Sequence, residues 1–177
     1  MRLISGTLLG LTLGRLFNGA AKFIQQPHSN QINLLHGLWT FFIFATVTLF
    51  WWDEAQTFNH VHWSFPTYIF QVAYCGSFLF LTAILLPDSV SDFGDHHTYF
   101  ISRRYWFYSA LILSFVLGII DLIIKEGWSE SLVGPENIIF DLIMVAILAA
   151  GMVVNSNRLH VSVAVLMVGL TILSALI

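Results

Sequence analysis

The sequence predicts an all-α fold, a polytopic transmembrane helical bundle of about six spans joined by short loops. Of the 177 residues, 57% are hydrophobic and only 10% are charged, whereas soluble domains carry about 25% charged residues. The mean hydropathy is +0.79. A soluble domain of about 150 residues still exposes roughly 30% of its unfolded surface, so this composition requires lipid as its solvent.

Six apolar runs are expected to form the spans of a single transmembrane domain covering residues 1–177, because each approaches the 20 or so residues that a bilayer requires. In chain order they are residues 3–24, 34–52, 66–86, 105–124, 138–154 and 159–177. Pro66 and Pro135 fit the first turn of a helix, and Pro87 fits a stop. Arg15 interrupts the first run, which favours a retained helix over a signal peptide and leaves open whether this run crosses the membrane fully.

The distribution of cations predicts the orientation of these spans. Five of the seven lysine and arginine residues fall on one side, which places the loops near residues 25–33, 88–103 and 155–158 in the cytoplasm and both termini outside. The five are Arg15, Lys22, Arg103, Arg104 and Arg158. Tryptophan and tyrosine residues near the span ends, Trp39, Trp52 and Tyr108 among them, are typical of an aromatic belt at the headgroup level.

Three glycines in the first span, Gly6, Gly10 and Gly14, recur every four residues. They form a smooth stripe on one helix face, where another backbone can approach closely. The stripe fits packing against another span of the same chain, and it equally fits a contact in a homo-oligomer.

Asp121 and Asp141 are the acidic residues that best fit an ion or proton path, because carboxylates inside a bilayer are costly and are associated with function. Two carboxylates at similar depth in one hairpin would share a proton. The structural alternative is that Lys125, four residues after Asp121, pairs with it, while Asp141 reaches the outer surface. His36, near the inner start of the second span, is a further candidate for the path or a satisfied structural histidine.

Two further pairs of residues are candidate binding sites, one for a metal ion and one for lipid headgroups. His60 and His62 are residue types that bind zinc and similar metals, although their spacing matches no closed site and equally fits a solvated loop. Arg103 and Arg104, followed by four aromatic residues, fit an anchor for anionic lipid headgroups or an anchor for topology alone.

A set of short motifs resembles a family of uncharacterised bacterial multi-span membrane proteins over roughly residues 33–125. The motifs are an H-x-x-W opening, paired tryptophans, a W-[ST]-F start, an L-x-P-[DE] stop and a Y-F…R-x-[WF]-F entry. In this chain they are His36–Trp39, Trp51–Trp52, Trp63–Phe65, Leu85–Asp88 and Tyr99–Phe107. The resemblance implies a bacterial inner-membrane location and about six spans, but no activity and no functional residue.

The sequence contains no Gly-rich phosphate loop, HExxH, CxxC or GxSxG motif, which favours a non-enzyme and names no cofactor. The absence of a basic run excludes nucleic acid as a partner. The expected partners are the lipid bilayer and further copies of the chain in a homo-oligomer. A small oligomeric ion or proton channel or transporter is the favoured function. An accessory or sensor subunit of a larger membrane complex and a membrane enzyme that binds a metal or cofactor are the alternatives.

Overall fold

The computed structural model describes residues 2–25, 34–57, 63–87, 93–127 and 135–176, and it confirms the all-α bundle. These residues form six helices and no β-strand. In chain order the helices are α1 (Arg2–Gln25), α2 (Leu34–Thr57), α3 (Phe65–Leu85), α4 (His96–Glu126), α5 (Pro135–Val153) and α6 (Asn157–Ser174).

The fourth helix begins nine residues before the apolar run that predicted it. Asp95 caps it, because its Oδ1 accepts a hydrogen bond of 2.6 Å from the backbone N–H of Thr98. This satisfies one of the amide groups that a helix N-terminus leaves without a partner. Ser64 caps α3 in the same way, with a hydrogen bond of 3.3 Å from the backbone N–H of Thr67. Polar residues therefore extend α4 beyond its apolar segment.

Four helices are long and apolar enough to cross a membrane. They are α2 over Leu34–Gln56, α3 over Phe65–Leu85, α4 over His96–Lys125 and α6 over Asn157–Ser174. The apolar part of α5, Ile138–Val153, is shorter than these four segments. The described residues of α1 do not meet the same requirement of length and apolar composition. The chain is a multi-pass membrane protein, and a full crossing by α1 and α5 stays a prediction.

Helix α2 lies at the centre of the bundle, where it contacts α1, α3, α4 and α6. Helix α3 also packs on α1 and on α4, and α4 packs on α5. The outer faces carry large apolar side chains such as Trp52 and Leu142, which are 68% and 64% exposed. An apolar surface of this extent marks a face covered by lipid or by another protein.

Aromatic rings fill the centre where α2 meets α4. The ring centroids of Trp39 and Phe107 are 4.9 Å apart, and those of Trp39 and Tyr108 are 5.9 Å apart. Trp39 and Tyr108 are completely buried, so the prediction that they belong to an interfacial belt is wrong. Both residues lie on the inward face of their helix, and position along a span does not reveal which way a side chain faces.

Helix α5 approaches α4 closely near its C-terminal end. A Cβ atom at Gly151 would lie 2.5–2.9 Å from atoms of the buried Tyr108 ring, so only glycine fits without displacing the ring. At the next residue, the Met152 carbonyl accepts a hydrogen bond of 3.0 Å from Arg104 Nε. The two contacts fix this end of α5 against α4.

Candidate functional site

A cluster of ionised side chains, here called the Lys125 cluster, joins the C-terminal ends of α2 and α4. The Lys125 ammonium lies 2.5 Å from Glu54 Oε1, 2.7 Å from Asp121 Oδ2 and 3.3 Å from Asp53 Oδ2. The side chains of Lys125, Glu54 and Asp121 are no more than 10% exposed, whereas that of Asp53 is 60% exposed. Phe50 closes the cluster, with its ring centroid 5.5 Å from the ammonium.

The Lys125 cluster corresponds to the structural alternative for Asp121. The pair four residues apart forms, and Glu54, from another helix, adds a second buried carboxylate. A buried carboxylate needs a cation or hydrogen bonds to offset the loss of hydration. Lys125 is paired with both carboxylates, so its one positive charge offsets part of their combined charge and gives Asp121 a partner within the fold.

Asp141 occupies a different environment, in the wall of a cavity of about 630 Å³ between the helices. This interhelical cavity is bordered by residues of α2, α3, α4, α5 and α6, most of them apolar. Asp141 is the one residue with a formal charge in the described part of the lining, and Asp121 is not part of that lining. The structure therefore places the two predicted carboxylates in separate environments.

Aromatic side chains form much of the cavity wall. Phe42 comes from α2, Tyr74 and Phe78 from α3, and Phe115 from α4. Ser114 also lines this wall, and its one hydroxyl proton can be donated to the Ala110 carbonyl, at 2.9 Å, or to Ser77 Oγ, at 3.0 Å. Ligand sites commonly have volumes of roughly 300–1,000 Å³ and apolar walls with a few polar groups, so the cavity has the size and lining of a small-molecule site.

His36 is completely buried at the opposite end of α2 from the Lys125 cluster. Its ring centroid lies 5.2 Å from that of His96 and 5.8 Å from that of Phe100, both on α4. Neither ring nitrogen of His36 has a hydrogen-bond partner among the described residues. The described lining of the interhelical cavity does not include His36, so the structure does not join it to Asp141.

His160 belongs to the same end of the bundle and was missed in the sequence. Its Nδ1 lies 2.9 Å from the Tyr108 hydroxyl, and the two share a hydrogen bond. The ring centroids of His160 and Phe100 are 5.5 Å apart. The only sequence signal was a histidine early in an apolar run, and the residues that surround it come from another helix.

The predicted glycine stripe divides between two environments. A Cβ at Gly6 would lie 3.9 Å from Trp51 of α2, whereas Gly10 and Gly14 have no described atom within 4 Å of that position. Among the glycines of α1, Gly19 has the tightest surroundings, because a Cβ there would lie 2.6 Å from a side-chain atom of Leu86, just beyond the end of α3. A Cβ would therefore meet open space at Gly10 and Gly14 in the described structure, and the packing and oligomer interpretations of the stripe both stay predictions.

The two arginines at the start of the fourth apolar run differ in their surroundings. Arg104 donates to the carbonyls of Met152 and Ile101, so it links helices. Arg103 is exposed, with its guanidinium 5.5 Å from the Phe93 ring centroid. The exposed side chain of Arg103 remains a candidate for binding lipid headgroups. The side chain of Arg104 instead makes hydrogen bonds to the backbone of α4 and α5.

The proposed metal ligands His60 and His62 lie outside the described residues. In the part of the chain that the structure describes, no three histidine, cysteine or carboxylate side chains form a metal-binding group. Asp53 and Glu54, the acidic residues before these histidines in the chain, contact Lys125.

Comparison with known proteins gives no relative on which to base a function. No family model matches the chain, and no curated protein or solved structure matches it. The resemblance to uncharacterised bacterial membrane proteins stays a prediction. The functional assignment must therefore be argued from the geometry of the site.

Proposed function

We propose that this protein is a small membrane transporter of organic cations, and that the interhelical cavity is its substrate site. The observation that carries the proposal is the position of Asp141, the one formally charged residue in the described lining of an apolar cavity of about 630 Å³. Asp141 is half-buried, and the partial loss of hydration in apolar surroundings favours a proton or a cation that offsets its charge.

The aromatic wall supports an organic cation over a small inorganic one. Phe42, Tyr74, Phe78 and Phe115 line the cavity, and aromatic rings attract both a cation and the hydrocarbon groups attached to it. An inorganic cation would require several oxygen ligands in a compact arrangement. The described wall offers one carboxylate and scattered hydroxyl groups, so it fits a cation with substantial apolar surface.

In the proposed mechanism, the Asp141 carboxylate binds either a proton or an organic cation, and so exchanges one for the other across the membrane. Protonated Asp141 is neutral and is stable in the empty cavity, whereas ionised Asp141 pairs with the bound cation. Because both ligands compete for one carboxylate, a proton gradient drives the cation in the opposite direction. In this proposal Asp121 is not part of the transport path, because it is paired with Lys125 and does not belong to the described cavity lining.

The location of the transporter forms part of the proposal. We infer a bacterial inner membrane, with the loop at residues 155–156 in the cytoplasm and both ends of the described chain outside. The excess of lysine and arginine on one side supports this orientation, and the motif resemblance supports the bacterial assignment.

Uptake of tetraphenylphosphonium into liposomes containing the purified protein tests the function. We expect a pH gradient to drive uptake by the native protein and Asp141→Asn to abolish it, because the amide can neither ionise nor exchange a proton. Asp53→Asn is the matched control, since Asp53 is exposed and lies outside the cavity.

Binding of the same probe in detergent separates the site from the transport step. Equal binding by native and Asp141→Asn protein would contradict the assignment of Asp141. Binding without flux under either direction of the gradient would contradict transport and favour a sensor or accessory subunit.

A further inference from the structure

Tyr74 of α3 and Gly118 of α4 meet in the wall of the interhelical cavity, where the two helices pack against each other. A Cβ atom at Gly118 would lie 2.9 Å from the Tyr74 hydroxyl oxygen and 3.7 Å from the ring carbon that carries it. From this contact we infer that Gly118 and Tyr74 determine the size of the organic cation that the cavity accepts. The inference rests on the proposed function, in which the cavity is the substrate site.

The contact leaves no space for a larger residue at position 118. Non-bonded heavy atoms pack best at about 3.5–4.0 Å. A methyl group at Gly118 would therefore overlap the Tyr74 hydroxyl oxygen, at 2.9 Å, whereas its distance of 3.7 Å from the ring carbon is an ordinary contact. Among the described atoms around Gly118, the hydroxyl oxygen is the one that an alanine would displace.

Three phenylalanine rings hold the Tyr74 side chain in place. The Tyr74 ring centroid lies 4.9 Å from that of Phe50 on α2, and 5.1 Å and 6.2 Å from those of Phe78 and Phe70 on α3. Because close-packed side chains resist displacement, a hydroxyl pushed away from Gly118 moves towards the cavity that both residues border. Gly118→Ala should therefore reduce the space available to a bound cation.

The size of the cation decides how strongly this loss of space affects binding. Tetraphenylphosphonium carries four phenyl groups, whereas methyltriphenylphosphonium carries three and has the same charge. One small group added to an apolar pocket changes the discrimination between related ligands by about tenfold or more. The ratio of the two affinities therefore reports the space beside Tyr74, because both cations pair with Asp141 in the same way.

Equilibrium binding of the two cations to the purified protein in detergent tests the inference. We expect Gly118→Ala to lower the affinity for tetraphenylphosphonium about tenfold relative to that for methyltriphenylphosphonium. Tyr74→Phe removes the displaced oxygen and keeps the aromatic ring, so the double variant Gly118→Ala/Tyr74→Phe should regain the native ratio. General damage to the fold by Gly118→Ala would instead weaken the binding of both cations equally.

Gly169→Ala is the matched control, because Gly169 is an exposed helical glycine outside the described cavity lining, with no described atom within 4 Å of its Cβ position. Its affinity ratio should equal that of the native protein. A native ratio in Gly118→Ala, or a lowered ratio that Tyr74→Phe does not restore, would overturn this inference and leave the proposed function in place. Failure of the native protein to bind either cation would overturn the proposed function, and this inference with it.

Discussion

Lys125 holds together the ends of two helices because its ammonium group contacts carboxylates on both. Glu54 and Asp121 are buried beside it, and each lies within 2.7 Å of its nitrogen. Replacing a whole buried ion pair by apolar residues is often neutral, but removing one partner leaves an uncompensated charge. The contribution of Lys125 to stability therefore arises mainly from the penalty that its absence would impose.

Lys125→Met should lower the free energy of unfolding by about 3–5 kcal/mol, because Glu54 and Asp121 would lose their shared cation. Reversible unfolding in mixed micelles, followed by circular dichroism, measures the change. Asp53→Asn is the control, since Asp53 is exposed and its loss should cost no more than about 1 kcal/mol. A change below 1 kcal/mol for Lys125→Met would show that the cluster does not stabilise the fold.

The same residues show how far a sequence can predict a site. The pairing of Asp121 with Lys125 was foreseen as an alternative, because residues four apart in a helix are neighbours. Glu54 was not foreseen as a partner, since it lies on another helix and its approach depends on how α2 and α4 pack. Asp141 was recognised as costly at membrane depth, but the cavity beside it arises from five helices and has no signature along the chain.

At the scale of the elements, the polar first turns of α4 show how one side chain can set a helix boundary. The Asp95 carboxylate accepts hydrogen bonds from the backbone N–H of Thr98, with a further contribution from the Thr98 side chain, and these hold the pKa of Asp95 below its usual range. The cap is therefore stronger when Asp95 is ionised, and the start of α4 is coupled to pH.

The stabilisation from the Asp95 cap should be fully present above the ordinary pKa of aspartate and should disappear as pH falls through the lowered pKa of the folded state. Asp95→Asn is the matched variant, because asparagine also caps helices but does not titrate. The difference in unfolding free energy between native protein and Asp95→Asn, measured from pH 7 downwards, should shrink in acid. A difference independent of pH would contradict the charged cap.

Helix positions were more predictable than helix lengths and contacts. Hydropathy located all six helices, because each must present an apolar surface. It missed the first nine residues of α4, His96 to Arg104, because capping and polar contacts stabilise them instead of lipid. It also did not reveal the tight surroundings of Gly19 beside Leu86, since the stripe of Gly6, Gly10 and Gly14 was the more regular pattern.

At the scale of the whole molecule, polar groups concentrate at the two ends of the bundle and differ in kind. The end with the C-termini of α2 and α4 carries the Lys125 cluster. The end with their N-termini carries His36, His96 and the arginines of α4. Such a separation of acidic and basic residues between the ends matches the charge asymmetry that orients membrane proteins.

Cysteine labelling with a membrane-impermeant maleimide tests the orientation. In intact cells we expect Gln56→Cys to be labelled and Asn155→Cys to be protected, since both positions are exposed but they lie at opposite ends of the bundle. Native Cys75 is completely buried and serves as the unreactive background. The reverse labelling pattern would place residues 155–156 outside and contradict the orientation.

The attachment of α5 to α4 constrains how the interhelical cavity changes shape. Gly151 and Met152 hold one end of α5 against Tyr108 and Arg104, while Asp141 borders the cavity ten residues away. That separation is about 15 Å along the helix axis, so a rigid tilt of about 10° around the held end moves Asp141 by about 2.6 Å. A small rotation of α5 about its held end would therefore alter the distance between the Asp141 carboxylate and the aromatic wall, while the contacts of Gly151 and Met152 stay in place.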